Sequence, residues 1–476
     1  MGLPAYPSLE TLGSSYTRVL LINGPAIDTR PPWARWQQPA GLLRIGALLR
    51  ARQCDVRLID CLQTPSSGRL PRQRVARLGI DGRNVDIWRF GLSPATVLAQ
   101  IQAWSRQGWK PDKVLVSCGI STWWQGARDV IIGLRSTACS DVPVLLGGAY
   151  PTFYPEHATK NAGADEIVVG DVTDALAINP DLSLYKGTVP RFAAIRLYSP
   201  AGILTSAVQQ QARLPKEVAE EVRAAASLGV TTFAFYDNWL GPDDRDTLKD
   251  ALEGIAALEL PNIRFVAVGN LSPRAVDTEL AKLLRKVGFR HIYLHDDVRH
   301  TAQGPEYLSS EDDYIRCVHS LGQAGFRVRT DEVSAGVLAG IPGEDLGALV
   351  SRLVRLASIV GSVNLVPYQY TPGTAEATNF ETLMGQRNGE IDPAALNAQL
   401  YPLVKMAGAK FEDYLELTRL AALLNSKYRS QTFDFRGNGL IARLVRNSLR
   451  NELWNPFRKS CAAAGAAAPA VLGEQR

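Results

Sequence analysis

The chain has 476 residues, of which 46% are hydrophobic and 21% are charged, and its formal net charge is +5. This length allows two or three domains with buried cores. The small positive excess does not indicate a nucleic-acid partner, and no apolar run reaches the roughly 18 residues of a membrane span. Since the chain also opens without a secretory signal pattern, we expect a cytoplasmic protein.

From about Arg18, short β-rich runs alternate with helix-patterned segments. Five apolar runs come first, and each ends in Gly, Asp or Cys: RVLLING, VRLIDC, KVLVSCG, VPVLLGG and EIVVGD. Such βαβ alternation predicts a doubly wound parallel sheet over residues 18–180, behind a leader at 1–17. An insertion from Leu62 to Arg89, rich in Arg, Gly and Ser, interrupts the second crossover.

A second α/β series follows a linker at 181–190. Six further apolar runs, from FAAIRLY to SVNLVPYQY, predict a partial (β/α)6 barrel over residues 191–375, with its working face at the carboxyl ends of the strands. The pattern then turns helical over residues 376–460, where a docking helix is expected at Leu440–Leu453, and residues 461–476 are expected to form a disordered tail.

Ligands of an open parallel sheet collect at the carboxyl ends of its strands, where the strand order switches. Gly147 and Gly148 follow one such strand and would let the backbone approach a bulky ligand, while Ser117 ends another and could donate a hydroxyl hydrogen bond. The same residues could equally form ordinary tight turns, and spacing alone leaves both interpretations open.

The segments LLRIGALLRARQCDVRLIDC, STWWQGARDVI and LLGGAYPTFYPEHATKNAGADEIVVGD resemble the cobalamin-binding domain of cobalamin-dependent radical S-adenosylmethionine proteins. The resemblance implies that Ser117, Gly147 and Gly148 lie along the nucleotide tail of cobalamin. The full set of residues that we expect to bind the cofactor is Gly24, Pro25, Ser117, Gly119, Gly147, Gly148, Ala149, Tyr150 and Gly170.

One departure concerns the lower face of the cobalt. Simple cobalamin carriers place a histidine ligand in the loop after the first strand, and this loop contains none. The radical S-adenosylmethionine branch often lacks that histidine too. Trp33 or Trp36 could shield the lower face instead, although ordinary packing explains these tryptophans more simply.

The resemblance continues to about Thr374, through ARLPKEVAEEV, TTFAFYDNWL, VDTELAKLLRKVGFRHIYL, LAGIPGEDL and VPYQYTPGT in the family's order. In the family, the first barrel strand leads into three cysteines that hold a four-iron cluster. The register of the resemblance places Ser199, Ile203 and Ser206 at those positions. Because such clusters need thiolate ligands, and none of the six cysteines forms a cluster-like group, we expect no iron–sulfur cluster and no deoxyadenosyl radical.

At other positions characteristic of the family, some residues are altered and others are retained. The strand-four motif reads His295-Asp296-Asp297, with Asp297 at the acidic position, and Asp237 follows strand two. Tyr236, Asp237 and Asp297 are therefore the candidate catalytic residues. His295, Asp296, Asp297 and His300 could in principle bind a divalent metal, but their spacing along a strand points them apart, so no metal site is expected.

Two functions remain open. The first is a cobalamin-dependent enzyme that transfers a methyl group from methylcobalamin to a small molecule without a radical, with S-adenosylmethionine as a further candidate ligand. The second is a catalytically degenerate accessory subunit, cobalamin carrier or sensor that partners an intact radical S-adenosylmethionine enzyme. The expected partners are thus a small-molecule substrate or a partner protein, with neither nucleic acid nor membrane. An ordinary radical enzyme with its cluster elsewhere fits least.

Overall fold

The structure is a computed structural model of the chain. It describes residues 18–30, 38–64, 69–80, 83–136, 139–170, 172, 175, 178–185, 189–190, 192–197, 213–235, 237, 240–267, 271–295, 297–301, 304–330, 332–341, 343–368, 392–397 and 411–429. Tyr236, Asp296, Trp33, Trp36, the predicted docking helix and the predicted tail lie outside these residues.

Eleven α-helices occur in the described residues. They are α1 (Ala40–Ala51), α2 (Pro94–Arg106), α3 (Trp124–Arg135), α4 (Ala149–Phe153), α5 (Pro155–Asn161), α6 (Pro215–Ser227), α7 (Arg245–Ala256), α8 (Thr278–Val287), α9 (Glu311–Gln323), α10 (Leu346–Val360) and α11 (Phe411–Arg429). None of these helices combines the length and apolar character that crossing a membrane requires.

The chain divides into two compact units. The first takes its described residues from 18–237, 250–264 and 392–397, and the second takes its described residues from 240–249, 265–368 and 411–429. The strands of the first unit are β1 (Arg18–Asn23), β2 (Ala26–Asp28), β3 (Asp55–Asp60), β4 (Arg72–Ile80), β5 (Arg83–Phe90), β6 (Lys113–Ser117), β7 (Val144–Gly147), β8 (Glu166–Ile167), β9 (Phe192–Ile195) and β10 (Thr232–Phe235).

A five-stranded sheet forms the core of the first unit, in the order β3-β1-β6-β7-β8, and its four pairs of neighbouring strands are all parallel. The apolar runs of its inner strands are almost fully buried, including Leu20, Leu21 and Ile22 of β1 at 0% exposure. Burial on both faces is what continuous apolar strands require, because helices cover each side of such a sheet. The strand order switches between β1 and β6, which places the expected ligand crevice at the carboxyl ends of these two strands.

The insertion between β3 and α2 is structured as strands. β4 and β5 form an antiparallel hairpin, and β5 also pairs with β2, giving a three-stranded sheet in the order β2-β5-β4. The sequence analysis assigned no strands here because arginines and glycines interrupt any apolar alternation. In the same unit, β9 and β10 pair in parallel from Phe192 opposite Thr232 to Ile195 opposite Phe235.

The second unit contains β11 (Arg264–Ala267, from Phe265 onward), β12 (Phe289–His295), β13 (Val298–Thr301), β14 (Gly304–Tyr307), β15 (Val333–Ala339) and β16 (Val363–Pro367). Four of these strands are parallel, in the order β16-β15-β12-β11, and β13 and β14 form an antiparallel hairpin directly after β12. On β12, Ile292 and Leu294 are fully buried, whereas Tyr293 between them is only half-buried.

The mixed α/β architecture confirms the predicted fold class. The six parallel strands β9, β10, β11, β12, β15 and β16 alternate with helices in the order that the six predicted β/α units require. Helix α11 supplies described helical structure in the C-terminal region, where its Asn425 side chain donates to the carbonyl of Val363 and accepts from its amide, both at 2.7 Å. The β13–β14 hairpin has no counterpart in the predicted pattern.

Candidate functional site

We call the nine predicted cofactor-binding residues the cradle. The strands that lead into them end next to one another at the carboxyl edge of the first sheet. Asn23 at the end of β1 lies opposite Asp60 on β3 and Ser117 on β6, and Ser117 in turn lies opposite Gly147 on β7. The amide of Gly24 donates to the carbonyl of Ser117 at 3.1 Å, which joins the two loops that leave the switch point. Ser117 and Gly147 are therefore adjacent at the edge where a ligand of this fold would bind.

The nine residues predicted to bind the cofactor differ in their exposure to solvent. Six are exposed or half-buried: Ser117, Gly119, Gly147, Gly148, Ala149 and Gly170. The remaining three, Gly24, Pro25 and Tyr150, are buried within the protein. A side chain at Gly24 would come within 3.3 Å of Ala127 on α3, so this glycine lets a loop and a helix pack closely.

Open space distinguishes two of the exposed glycines. A Cβ atom at Gly119 would have no neighbour within 4 Å, and one at Gly147 would meet only Val168, at 3.7 Å. Gly148 is different, because its φ is +99° and a Cβ there would lie 2.6 Å from the carbonyl oxygen of Cys118. Gly119 and Gly147 therefore have room for at least one further atom, while Gly148 is required by the turn itself.

Three hydrogen bonds hold the loops after β7 and β8 together. The Thr152 hydroxyl donates to the carbonyl of Gly148 at 2.7 Å and accepts from the amide of Gly170 at 3.0 Å. The amide of Val168 donates to the carbonyl of Leu146 at 2.8 Å. Gly170, which has a φ of +83°, is therefore fixed beside Gly148 through one side chain. This places two predicted cradle residues next to each other although 22 positions of sequence separate them.

A buried carboxylate lies beside the switch point and was not anticipated from the sequence. Asp60 accepts hydrogen bonds from the side-chain amide of Asn23 at 2.7 Å, the Tyr185 hydroxyl at 2.8 Å and the amide of Leu62 at 3.0 Å. Burial raises the pKa of Asp60, and the three hydrogen bonds oppose that rise. Three donors on one buried group make a rigid support for the ends of β1 and β3.

The two tryptophans after β6 anchor a late segment of the chain. Trp123 donates to Asp28 at 2.9 Å, and Asp28 also accepts from Asn397 at 3.0 Å. Trp124 donates to Asp392 at 2.8 Å and stacks on Tyr150 at 5.8 Å between ring centroids. Residues 392–397 are thereby held against the loops that follow β1 and β6. Sequence separation hid this contact, since no local pattern relates positions 28 and 397.

Tyr150 belongs to a buried aromatic cluster. Its hydroxyl lies 2.8 Å from Nδ1 of His157, and the His157 ring packs edge-on against Trp124 with centroids 4.9 Å apart. Burial lowers the pKa of His157, which keeps the imidazole neutral at pH 7. Tyr150 thus positions the turn after β7 from within the core, and a ligand would meet the turn's backbone.

The predicted catalytic Asp237 contacts the backbone at the end of β9. Both of its carboxylate oxygens accept from the amide of Leu197, at 2.9 and 3.0 Å, and its side chain is 4% exposed. The carbonyl of Leu197 accepts from the amide of Arg213 at 2.8 Å. Leu197 and Arg213 flank residues 198–212, so Ser199, Ile203 and Ser206 lie outside the described residues.

A buried ion triad that includes Arg213 stabilises the chain next to this contact. Glu221 on α6 pairs with Arg213 at 2.7 Å and with Arg44 on α1 at 2.6 Å, and its side chain is 6% exposed. The Arg213 guanidinium also donates to the carbonyl of Arg196 at 3.0 Å. Two cations around one buried anion leave no uncompensated negative charge, which such burial requires.

The second predicted carboxylate, Asp297, lies directly after β12 at 2% exposure. Its Oδ2 atom accepts from the hydroxyls of Ser272 at 2.6 Å and Ser309 at 2.7 Å. Arg274 approaches the same oxygen at 4.0 Å. Asp297 therefore ties the loop after β11 to the segment after the β13–β14 hairpin.

The Gly340–Leu346 motif also works through its backbone. Glu344 accepts from the amide of Gly340 at 2.9 Å and from the Tyr307 hydroxyl at 2.7 Å. Gly340 and Gly343 have φ angles of +85° and +79°, so the turn needs glycine at both positions.

A polar row on β12 was not singled out by the sequence analysis. His291, Tyr293 and His295 share one face of the strand, opposite to the buried Ile292 and Leu294. Nε2 of His291 lies 3.1 Å from the Ser334 hydroxyl on β15. The Tyr293 ring lies over Gly336, and burial raises the pKa of its hydroxyl to about 12 despite a hydrogen bond with Asn364. Strand alternation could have flagged this row.

The cysteines of the described part of the chain are buried or half-buried. Cys61, Cys118, Cys139 and Cys317 are buried, Cys54 is half-buried, and burial raises the pKa of Cys118 to about 12. Among the described residues, no group of three or more His, Cys, Asp or Glu side chains could hold a metal ion. Burial raises the pKa of the Cys54, Cys61, Cys118 and Cys317 thiols, which favours their protonated form over the thiolate.

Comparison with solved structures gives a match over most of the chain. The radical S-adenosylmethionine methyltransferase TsrM from Kitasatospora setae, solved with cobalamin and a [4Fe-4S] cluster bound, superposes with a TM-score of 0.52 at 14% identity. The match covers 77% of this chain and 78% of TsrM. The two proteins share a fold. At this identity the likeness extends no further than the architecture.

A second structure aligns more weakly. Apo, selenomethionine-labelled OxsB, a cobalamin-dependent S-adenosylmethionine radical enzyme, matches with a TM-score of 0.39 at 11% identity, covering 92% of this chain and 62% of OxsB. This score is too low to support an argument. No protein-family profile matches the sequence. No curated protein matches it either.

Proposed function

We propose that this chain binds cobalamin at the carboxyl edge of its first sheet and acts without an iron–sulfur cluster. The observation that carries the proposal is the open backbone at Gly119 and Gly147, beside Ser117 at the topological switch point. A corrin nucleotide tail is bulky and needs close backbone approach, which these glycines permit. The fold shared with TsrM, a protein solved with cobalamin bound, supports the same assignment.

The residues of the first unit fit cobalamin, and those at the cluster positions do not fit iron. Ser117 offers a hydroxyl, and Gly119, Gly147 and the turn at Gly148 offer backbone groups and space. At the cluster positions, by contrast, the sequence has Ser199, Ile203 and Ser206. Serine is a hard ligand that is protonated at neutral pH, and isoleucine has no donor atom, so no step through a cluster follows.

Bound methylcobalamin would supply a methyl group as a cation equivalent to a nucleophile. The protein's own contribution would be to bind and orient a small-molecule nucleophile, to exclude water and to take up its proton. Tyr236, Asp237 and Asp297 remain the proposed residues for this work, because both aspartates are buried carboxylates at the ends of barrel strands. The proposed reaction is non-radical methyl transfer in the cytoplasm, with S-adenosylmethionine as a further proposed ligand.

A second function is favoured by the contacts of the same aspartates. Asp237 accepts from the Leu197 amide and Asp297 accepts from two serine hydroxyls, so each has a structural task. The chain keeps its fold through these contacts but lacks cluster ligands. Both features also fit an accessory subunit, cobalamin carrier or sensor of an intact radical enzyme. Methyl transfer by the purified chain, with methylcobalamin and candidate nucleophiles, would separate the two functions.

The cradle is tested by adding hydroxocobalamin to the full-length protein, desalting, and recording the visible spectrum. We expect corrin absorbance to be retained. Gly147→Leu should fill the open space and lower the affinity about tenfold or more, because backbone approach is blocked. The matched control is Gly41→Leu, at an exposed position of α1 with no neighbour within 4 Å. Complete loss of corrin from the unmodified protein would refute cobalamin binding.

The absence of a cluster is tested separately by anaerobic reconstitution with iron and sulfide. We expect no stoichiometric iron and no charge-transfer absorption. A variant with cysteine at positions 199, 203 and 206 serves as the positive control, since thiolates at these positions would restore the ligand set. A cubane spectrum from the unmodified chain would overturn this part of the proposal while leaving the cobalamin result intact.

A further inference from the structure

The β4–β5 hairpin lies outside the cradle and outside the barrel strands. β4 is the edge strand of its sheet, since the order is β2-β5-β4 and β5 is its one strand neighbour among the described residues. Residues 72–79 are all exposed. An edge strand of this length presents unpaired backbone groups to its surroundings, which makes it a template for another strand.

The hairpin region carries most of the chain's excess charge. Residues 69–90 contain six arginines, no lysine and two aspartates, which amounts to a net charge of +4, against +5 for all 476 residues. The rest of the chain is therefore close to neutral. A charge imbalance concentrated on one exposed hairpin points to a partner surface of opposite sign.

Three of the arginines lie on one face of the hairpin. Arg72, Arg74 and Arg77 of β4 lie opposite Phe90, Trp88 and Asp86 of β5, which alternate along one side of their strand. We call the face formed by these six residues the arginine face. Asp86 is the one acid within it, and it binds Arg77 at 2.7 Å and Arg74 at 3.7 Å.

One carboxylate cannot neutralise this face. Arg77 and Arg74 share Asp86, and the hydrogen bond from Arg77 lowers the pKa of that carboxyl. Arg72 stacks over the Trp88 ring at 5.1 Å, a contact that orients the guanidinium without cancelling its charge. The side chains of Arg74 and Arg77 remain 54% and 53% exposed, so they are available to further carboxylates.

Apolar side chains on the same strand indicate what kind of partner fits. Val75 and Leu78 are 39% and 42% exposed, and Val75 is the extra residue of a β-bulge between Arg74 and Ala76. Nucleic acid would engage the arginines through its phosphates, but it does not present a row of apolar side chains alternating with its negative charges. A peptide strand alternating acidic and apolar side chains complements both features at once.

We propose that the free edge of β4 receives an extended acidic segment of a partner protein, which adds a strand to the sheet and sets its carboxylates against the arginine face. A second copy of this chain is disfavoured as the occupant, because two arginine faces would repel each other. The proposal does not depend on cobalamin binding or on methyl transfer. It gives the Leu62–Arg89 insertion a role in binding a partner protein, separate from the roles proposed for the rest of the fold.

The test uses the full chain and a fluorescein-labelled peptide of about eight residues that alternates glutamate and valine, long enough for one typical strand. Binding is followed by fluorescence anisotropy at several salt concentrations. We expect saturable, salt-sensitive binding that Arg72→Glu/Arg74→Glu weakens about tenfold or more. Both positions are exposed, so circular dichroism should show an unchanged fold.

The matched control is Arg106→Glu/Lys110→Glu, which changes the net charge equally at exposed positions near the end of α2. This variant should bind the peptide as the unmodified protein does. Equal loss in both double variants would reduce the effect to overall charge and overturn the proposal. Equal binding of a glutamate–proline peptide, which cannot pair as a strand, would overturn it too, as would selective binding of oligothymidine in place of the peptide.

Discussion

The amide of Leu197 donates to both carboxylate oxygens of Asp237, at 2.9 and 3.0 Å, across the carboxyl ends of β9 and β10. In the sequence, Asp237 is an acid at a strand end and therefore a candidate for catalysis. In the structure, it fixes the backbone where the chain enters residues 198–212. A carboxylate committed to a backbone amide has a structural task whether or not it also meets a substrate.

This relationship predicts a graded effect of two substitutions. Asp237→Ala should lower the free energy of unfolding by about 1–3 kcal/mol, because the buried amide of Leu197 would lose its acceptor. Asp237→Asn retains one carbonyl oxygen and should lose clearly less. Urea titrations followed by circular dichroism measure both values. A stable Asp237→Ala protein would mean that the Leu197 contact contributes nothing, and Asp237 would then be purely a ligand-facing group.

The two adjacent glycines after β7 should respond differently to alanine. Gly148→Ala forces a side chain into a φ of +99°, with its Cβ 2.6 Å from the Cys118 carbonyl, and should cost about 1–3 kcal/mol of stability. Gly147→Ala meets nothing closer than 3.7 Å and should stay within about 0.5 kcal/mol. Thermal or urea unfolding of the two single variants measures both changes in stability. Equal destabilisation would show that both glycines serve the turn and that neither is free for a ligand.

His157 should make stability depend on pH. Burial lowers its pKa below the ordinary 6.5, with Lys160 contributing and Asp392 opposing, so the native state binds this proton less tightly than the unfolded state does. Its contribution is complete above about pH 6.5 and is lost as the pH falls towards the lowered native pKa. His157→Gln keeps an acceptor for the Tyr150 hydroxyl but cannot titrate.

The unfolding free energy of the unmodified protein should therefore fall relative to His157→Gln between about pH 7.5 and about pH 5.5. Urea unfolding at several pH values in this window gives the difference directly. A constant difference would show that His157 is as easily protonated in the native state as in the unfolded one.

Tyr293 and Gly336 should be energetically coupled. A Cβ at Gly336 would lie 2.8 Å from both Cε1 and Oη of Tyr293, so Gly336→Ala should destabilise the protein by about 1–3 kcal/mol through overpacking. In a Tyr293→Leu background the same change should cost at least about 1 kcal/mol less, because the clashing ring is gone. A double-mutant cycle by urea unfolding measures this coupling, and additive effects would contradict the observed packing.

Much of the architecture was contained in local patterns. Apolar runs such as RVLLING and KVLVSCG became buried parallel strands because a strand covered on both faces must be apolar throughout. The helix-forming segments between them, including TELAKLLRKVG with its closing Gly288, carry caps that act over a few residues. The fold class, the succession of parallel strands and the edge where Ser117 and Gly147 lie could thus be predicted without coordinates, whereas the antiparallel strands of the insertion and the β13–β14 hairpin could not.

The expectation that no cluster is bound also comes from the sequence alone, because it depends on the residue types at Ser199, Ile203 and Ser206, which the family resemblance places at the cluster positions. Only the tertiary structure decided which predicted cradle residues are accessible. It buried Tyr150 against His157, and it set Thr152 between Gly148 and Gly170. The reason is the distance along the sequence over which each feature is set. Helix and strand patterns depend on near neighbours. Burial and hydrogen-bond partners depend on segments that come together from distant positions, as Asp28 and Asn397 do.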